Sequence, residues 1–230
     1  MPEPMSMPMT ELFCKGFLFD MDGILISSLG SVERSWRAWA IANHIDPDLA
    51  IRTAHGCRAI ETVRKLRPDL DDHAELRRIE EMEISDQEGV TALDGVPALL
   101  ASLPAARWTV VTSATERLAR VRLAAADLAV PAQFITADSV SEGKPHPAPY
   151  LRGAALLGLN PADCIVFEDS GSGAIAGRAA GSTVLATLFS HTAQELHAAH
   201  HLVRNLTAVH IDWLPESENF RVRFHPLPRP

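Results

Sequence analysis

Three runs of apolar residues, each ending in acids or hydroxyls, constrain this chain more than any other feature of it. They are Gly16-Phe17-Leu18-Phe19-Asp20, Trp108-Thr109-Val110-Val111-Thr112-Ser113 and Cys164-Ile165-Val166-Phe167-Glu168-Asp169. A continuous rather than alternating apolar run fits a strand buried on both faces. Helix-like segments, Thr115–Ala126 and Gly173–Ala180, follow the second and third runs. Strands alternating with helices predict an α/β fold built on a parallel sheet with right-handed crossovers. Ligands in such sheets sit beyond the carboxyl ends of the strands, so the three polar ends are expected to meet in one crevice.

The texture changes between Ser27 and Asp94, where strand-like runs give way to charged helical patterns. Val32, Trp36, Trp39 and Ala40 recur at i, i+4, i+7 and i+8, one apolar face of a helix over Val32–Asn43. Ala59–Leu66 and Glu75–Gln87 continue in that style, with a break at Pro68-Asp69. We expect a helical cap over 27–94 inserted into a core made of 11–26 plus 95–213. Residues 1–10, with three prolines and four methionines, read as a disordered leader, and 214–230 as an extended or mobile tail.

With 230 residues, 47% hydrophobic and 22% charged, the chain is ordinary globular material, long enough for one core carrying an insertion. Its 21 Lys+Arg against 29 Asp+Glu give a formal charge of −8. That balance, with no basic run, argues against a nucleic-acid partner and against a polybasic membrane anchor. No stretch approaches the length of a membrane span, and MPEPMSMPMT lacks the pattern of a secretory signal, so a cytoplasmic protein is expected, and a monomer. Cys14, Cys57 and Cys164 show no CxxC spacing, which indicates neither a disulfide framework nor a thiolate zinc site. Cys14 and Cys164 read as small core residues; Cys57, in the cap, is the one candidate for a reactive thiol.

Asp20-Met21-Asp22-Gly23 puts two carboxylates at i and i+2 where the chain leaves a buried strand. The first suits a nucleophile or metal ligand and the second proton transfer, while Gly23 permits the sharp exit. A calcium loop also begins this way, but Leu25–Ser31 offers no acid to complete one. Thr112-Ser113 is a hydroxyl pair where a strand opens into a helix, a place for an N-cap and for an anion. Lys144, one of only three lysines, sits between Gly143 and Pro145, where a compact point charge is wanted rather than this chain's usual arginine. Glu168-Asp169 ends an apolar strand with two adjacent acids, which reads either as a strand-end turn or, since unpaired charge there is costly, as a site for a hard cation such as Mg2+.

Taken in order, DMDG, VTS, GKPHP and VFEDSGSGAIAG resemble the four motifs of the haloacid dehalogenase-like phosphohydrolase superfamily over roughly residues 15–187. The resemblance implies a Rossmann-like core with an inserted α-helical cap. It implies Asp20 as the nucleophile that forms an aspartyl-phosphate, and Asp22 as the acid that protonates the leaving alkoxide and then activates water. It also implies Ser113 and Lys144 as the phosphoryl-binding pair. Mg2+ would be held by Asp20, the Asp22 backbone carbonyl and Asp169, with Glu168 as a further ligand. Dehalogenases lack an acid at position 22, because a halide leaves without a proton; this chain keeps one, which favours phosphoryl transfer. Ser31–Trp36, His55–Ile60 and Gly89–Gly95 look like the caps of small sugar- and polyol-phosphate phosphatases. A small phosphorylated metabolite is therefore the expected partner, its leaving group selected by Arg58 or His55 unless these are solvated residues of the cap. Ile24, Ser27 and Ala148 depart from the family's usual residues without removing any of these groups.

A sugar phosphomutase of the same superfamily is the nearest alternative. A dinucleotide-binding oxidoreductase is a distant one, because Gly171, Gly173 and Gly177 give GxGxxxG after a strand, though behind two acids that would repel a pyrophosphate. A relative that only binds phosphorylated metabolites is opposed by the intact Asp20, Asp22, Lys144 and Asp169. His197, His200 and His201 have the spacing of ligands on one helix face, where a solvated surface is the plainer reading.

Overall fold

The computed structural model describes residues 8–229. In chain order its elements are β1 (Thr10–Cys14), β2 (Gly16–Phe19), β3 (Ile26–Ser27), α1 (Leu29–Ala42), α2 (Pro47–Ala54), α3 (Ala59–Leu66), α4 (Asp72–Ser85), β4 (Thr91–Ala92), α5 (Val96–Ser102), β5 (Trp108–Val110), α6 (Glu116–Ala125), α7 (Ala148–Leu156), β6 (Cys164–Glu168), α8 (Gly171–Ala179), β7 (Thr183–Thr187), β8 (His201–Val203), β9 (Val209–Leu214) and β10 (Asn219–Phe224).

The sheet expected from the apolar runs is present, five-stranded, parallel throughout and ordered β5-β2-β6-β7-β8. Successive side chains along a strand point to opposite faces. Phe17, Phe19, Ile165, Phe167 and Leu185 accordingly enter one apolar cluster, while Leu18, Cys164, Val166, Val184 and Ala186 enter another. Both faces of the sheet are covered, which is why these runs lack alternation. The second run is the least regular: strand pairing ends at Val110, and Val111 continues only through a single bridge to Ile135.

All four helices α1–α4 lie between β3 and β4, which pair antiparallel as Ile26↔Ala92 and Ser27↔Thr91. They enclose an apolar cluster of their own built on Trp36, Trp39, Ile51, Val63 and Ile79. The apolar spacing located α1, α3 and α4 but not α2. That short helix is set by its start, where Asp46 accepts the backbone N–H groups of Asp48 and Leu49 and Pro47 takes the first helical position.

Three expectations need correction. The segment from Leu214 is not a tail: β10 pairs antiparallel with both β9 and β1, in a second sheet ordered β1-β10-β9. Asn219–Phe224 reads NFRVRF, and Phe220, Val222 and Phe224 are buried while Arg221 and Arg223 face outward. That is a period-two strand, overlooked among the prolines around it. Nor is the leader wholly outside the fold, since Thr10 opens β1; residues 1–7 lie outside the described residues. Finally, His197, His200 and His201 share no helix. The segment before β8 is a run of turns, His200 Nδ1 accepts the Val184 N–H at 3.0 Å, and His201 packs edge-on against Phe224. Among the described residues no helix is long and apolar enough to cross a membrane.

Candidate active site

β2, β5 and β6 run parallel, so their carboxyl ends open onto the same side. Asp20 follows β2, Thr112-Ser113 lies just beyond β5, and Glu168-Asp169 closes β6. Lys144 reaches this point from the loop before α7. Its Nζ donates to Asp20 Oδ1 at 2.7 Å, to Glu168 Oε1 at 2.7 Å and to the Val111 carbonyl at 3.0 Å. Glu168 is wholly buried, and both its oxygens are engaged: Oε1 accepts from Lys144 and from Tyr150 Oη at 2.6 Å, Oε2 from the Asp169 and Ser170 amides and the Ser170 hydroxyl.

Three buried carboxylates therefore share a single ammonium, and the charges respond accordingly. Burial, helped by Glu168 and opposed by Lys144, pushes the Asp20 carboxyl up to about 7. Burial and the neighbouring Asp20 and Glu168 drive Asp169 well above the usual carboxylate range. Burial works against charge on Lys144 too, but the two carboxylates outweigh it and hold the ammonium firmly protonated. For Glu168, the Lys144 charge and the hydrogen bonds overcome burial and keep the group ionised. The oxygens of Asp20, Glu168 and Asp169 come within 4.8 Å of one another. Hard oxygen donors carrying uncompensated negative charge in a dry site fit a divalent cation. Asp20 and Asp169 have oxygens to offer it, whereas those of Glu168 are committed to Lys144, Tyr150 and the loop after β6.

Gly23 lets this geometry exist. It adopts φ +82°, and a Cβ there would lie 1.8 Å from Asp169 Oδ2. The same Oδ2 accepts from the Ser190 hydroxyl at 2.5 Å, and Ser190 in turn touches His191 Nδ1 at 2.6 Å.

A cavity of about 300 Å3 lies between the strand ends and the helical segment. Asp20, Asp22, Ser113 and Asp169 line it from the strand side and His55, Gly56 and Arg58 from the helical side. The structure thus brings together every site residue expected from the sequence, with Lys144 and Glu168 placed behind the lining. The 55–58 loop sits directly on the strand ends. Ser113 and Ser172 both donate to the Gly56 carbonyl, at 3.2 and 2.9 Å. Arg58 has its donors occupied: it bonds Glu61 and reaches the carbonyls of Val140 and Ser141 at 3.0 and 2.8 Å. Burial lowers the basicity of His55 and raises the thiol of Cys57. The latter shift is opposite to what a nucleophilic thiol needs.

Asp22 is held by one oxygen. Its Oδ1 accepts from Ser28 Oγ at 2.5 Å and from Arg122 Nη1 at 3.0 Å. Arg122 comes from α6, is 3% exposed, and stands 3.5 Å from Oε2 of the buried Glu83 on α4. Burial pushes Glu83 up to about 7, against the pull of Arg122. Sequence reasoning missed both residues, as well as Tyr150 and Ser190, although two of them leave a signal. Arg122 falls on the buried stripe Leu118-Ala119-Arg122-Leu123 of α6, and Glu83 lies four residues after the buried Ile79 of α4. A charge in an apolar stripe is a paired or functional charge.

The GxGxxxG glycines serve packing. A Cβ on Gly173 would meet Glu168 Oε1 at 1.6 Å, and one on Gly177 would meet Val184 and Val166. The carboxylate occupies the ground that a dinucleotide pyrophosphate would need, which removes the oxidoreductase reading.

Comparison with known proteins agrees with this geometry. A haloacid dehalogenase-like hydrolase model matches residues 14–181. Hexitol phosphatase A of Escherichia coli is 44% identical over 178 residues, 75% of this chain and 82% of that protein. Glycerol-1-phosphate phosphohydrolase 1 of Saccharomyces cerevisiae is 33% identical over 201 residues, 81% of this chain and 80% of that protein. A hydrolase from Pseudomonas syringae superposes with a TM-score of 0.74 at 26% identity, covering 83% of this chain and 93% of that one. A β-phosphoglucomutase from Clostridium difficile shares the fold, with a TM-score of 0.74 at 19% identity, over 89% of this chain and 97% of that one.

Proposed function

The chain belongs to the haloacid dehalogenase-like hydrolase family, and from that premise we propose that it is a Mg2+-dependent phosphatase of small phosphorylated sugars or polyols, such as hexose, hexitol or glycerol phosphates. The observation that carries the reading is the pairing of Asp20, which lines a cavity whose other wall is helical, with Lys144 behind it.

In this reaction Asp20 attacks phosphorus, forming an Oδ–P bond as the bond to the substrate's ester oxygen breaks. Lys144 offsets the charge of the Asp20 carboxylate, and Ser113 exchanges its bond to the Gly56 carbonyl for one donated to a phosphoryl oxygen. Asp22 gives its proton to the departing alkoxide and then takes one from the water that cleaves the aspartyl-phosphate. Asp20, Asp169 and the Asp22 carbonyl would hold Mg2+, which supplies charge neutralisation of the phosphoryl group. Glu168 supports the set from behind by fixing Lys144. Segment 27–94 acts as a cap that admits substrate when open and excludes water when closed. His55 lines the space left for the sugar or polyol, while Arg58 holds the cap to the core. The reading also takes the protein to be a cytoplasmic monomer with no nucleic-acid or membrane partner, in keeping with its −8 charge.

The test is phosphate release over a panel of hexose, pentose, hexitol and glycerol phosphates, with Mg2+ and with EDTA. Metal-dependent release concentrated on one or two members is expected. Isomerisation of sugar phosphates without release would replace the phosphatase by a mutase. Asp20→Asn should lower kcat at least about 10³-fold while circular dichroism and the melting transition show an intact fold. Normal turnover in that variant would remove Asp20 as nucleophile.

A further inference from the structure

Proton transfer needs more than a carboxylate within reach; the oxygen carrying the proton has to face the leaving atom. Asp22 is on a loop, and two bonds to the same atom, Oδ1, decide which way it faces. Fixing Oδ1 leaves Oδ2 free for the leaving oxygen. Ser28, one of the two donors, is a short side chain beside the cap's entry strand. Arg122 is different: it belongs to the core helix α6, is buried, and has its guanidinium between Asp22 and a buried acid of cap helix α4.

We infer that Arg122, braced by Glu83, is a positioning residue that turns Asp22 toward the leaving oxygen only when α4 is seated on α6. The inference rests on the phosphatase reading above and deepens it.

Two further observations support it. Nε and Nη2 of Arg122 are buried with no hydrogen-bond partner among the described residues. The 3.5 Å separation of Nη2 from Glu83 is longer than the 2.7–2.9 Å of a charge-assisted bond. Buried donors left unpaired are costly, so this pair gains if α4 moves slightly closer to α6. The rest of the α4–α6 seam is already made: Thr115 bonds Glu80, and Arg117 pairs with both Glu80 and Glu81. Seating of the cap and aiming of the acid thus share one set of contacts. A cap lifted off α6 takes Glu83 with it and leaves Arg122 without its brace.

The test compares kcat/KM on an alkyl ester, the best substrate of the panel above, with kcat/KM on p-nitrophenyl phosphate, whose phenolate leaves without needing a proton. kcat/KM reads through departure of the leaving group and so isolates the step that Asp22 serves as an acid. Arg122→Met should lose about 10²-fold on the alkyl ester and far less on the aryl ester. Glu83→Gln, nearly isosteric and suited to guard against misfolding of the first variant, should lose about tenfold with the same selectivity. Equal losses on both esters in both variants, or no loss on either, overturn the inference. If the unmodified enzyme releases phosphate from no member of the panel and not from the aryl ester, the phosphatase reading itself fails, an outcome separate from loss of the alkyl–aryl difference.

Discussion

A glutamate sealed beside a tryptophan and an arginine on the inner side of α4 is subject to opposed forces. Burial raises Glu83 from its ordinary 4.5 to about 7, and Arg122 and Trp36 pull it down. Between those two values the folded protein binds a proton that the unfolded chain has released, so this group's contribution to stability is complete below about 4.5 and declines as pH rises through about 7. Glu83→Gln has no such decline. The melting temperature of the variant relative to wild type should therefore climb from pH 4.5 to about 7.5, by the equivalent of on the order of 3 kcal/mol; a difference that stays flat across that range contradicts the assignment. Asp20, Asp22 and Asp169 were legible from the sequence, because strands of a parallel sheet deliver their ends to one side whatever lies between them, while Lys144, on a loop before α7, was legible through the resemblance of its motif. Glu83 and Arg122 left only the signal of a charge within an apolar stripe, and a charge on a helix reads as solvated until its neighbours across the gap are known. Tyr150, the chain's one tyrosine, became meaningful only through Glu168, eighteen residues further on.

Among the elements, α3 is tied to the core through the residue at its N-cap. Arg58 starts that helix and bonds the carbonyls of Val140 and Ser141, just ahead of Gly143 and Lys144. Removing the strap should loosen the cap's hold on the lysine loop and leave the parallel sheet alone. Arg58→Ala should accordingly lower kcat/KM about tenfold, mainly through KM. Hydrogen exchange should quicken over 140–144 and stay unchanged in β6; faster exchange throughout would mean that Arg58 holds the fold rather than the cap. The helices found from their pattern, α1, α3 and α4, carry no proline within their ranges. By contrast α2, as short as α3 at eight residues, opens on a proline after a capping aspartate and so reads as a break, and β10 is six residues among prolines. Short elements stabilised by partners distant in sequence leave little local signal.

For the whole molecule, the second sheet matters more than its size suggests, since β1 and β9 meet only through β10. A chain ending at Leu214 loses the buried Phe220, Val222 and Phe224 and leaves two strand edges bare. It should give little soluble protein and no cooperative melting transition, and a truncated chain that melts like the full one would show the hairpin to be dispensable. The β3–β4 ribbon has a different consequence. The chain leaves the core for the helices and returns through two adjacent rungs, Ile26↔Ala92 and Ser27↔Thr91, where paired Cα atoms lie about 5 Å apart. Cut at that ladder, the core would have two ends that a tight turn can close, and the helices would come away as a cassette with their own apolar centre. On the proposed reading, that would let the helical segment be exchanged or engineered apart from the strand-end carboxylates, provided that the Glu83–Arg122 seam is kept.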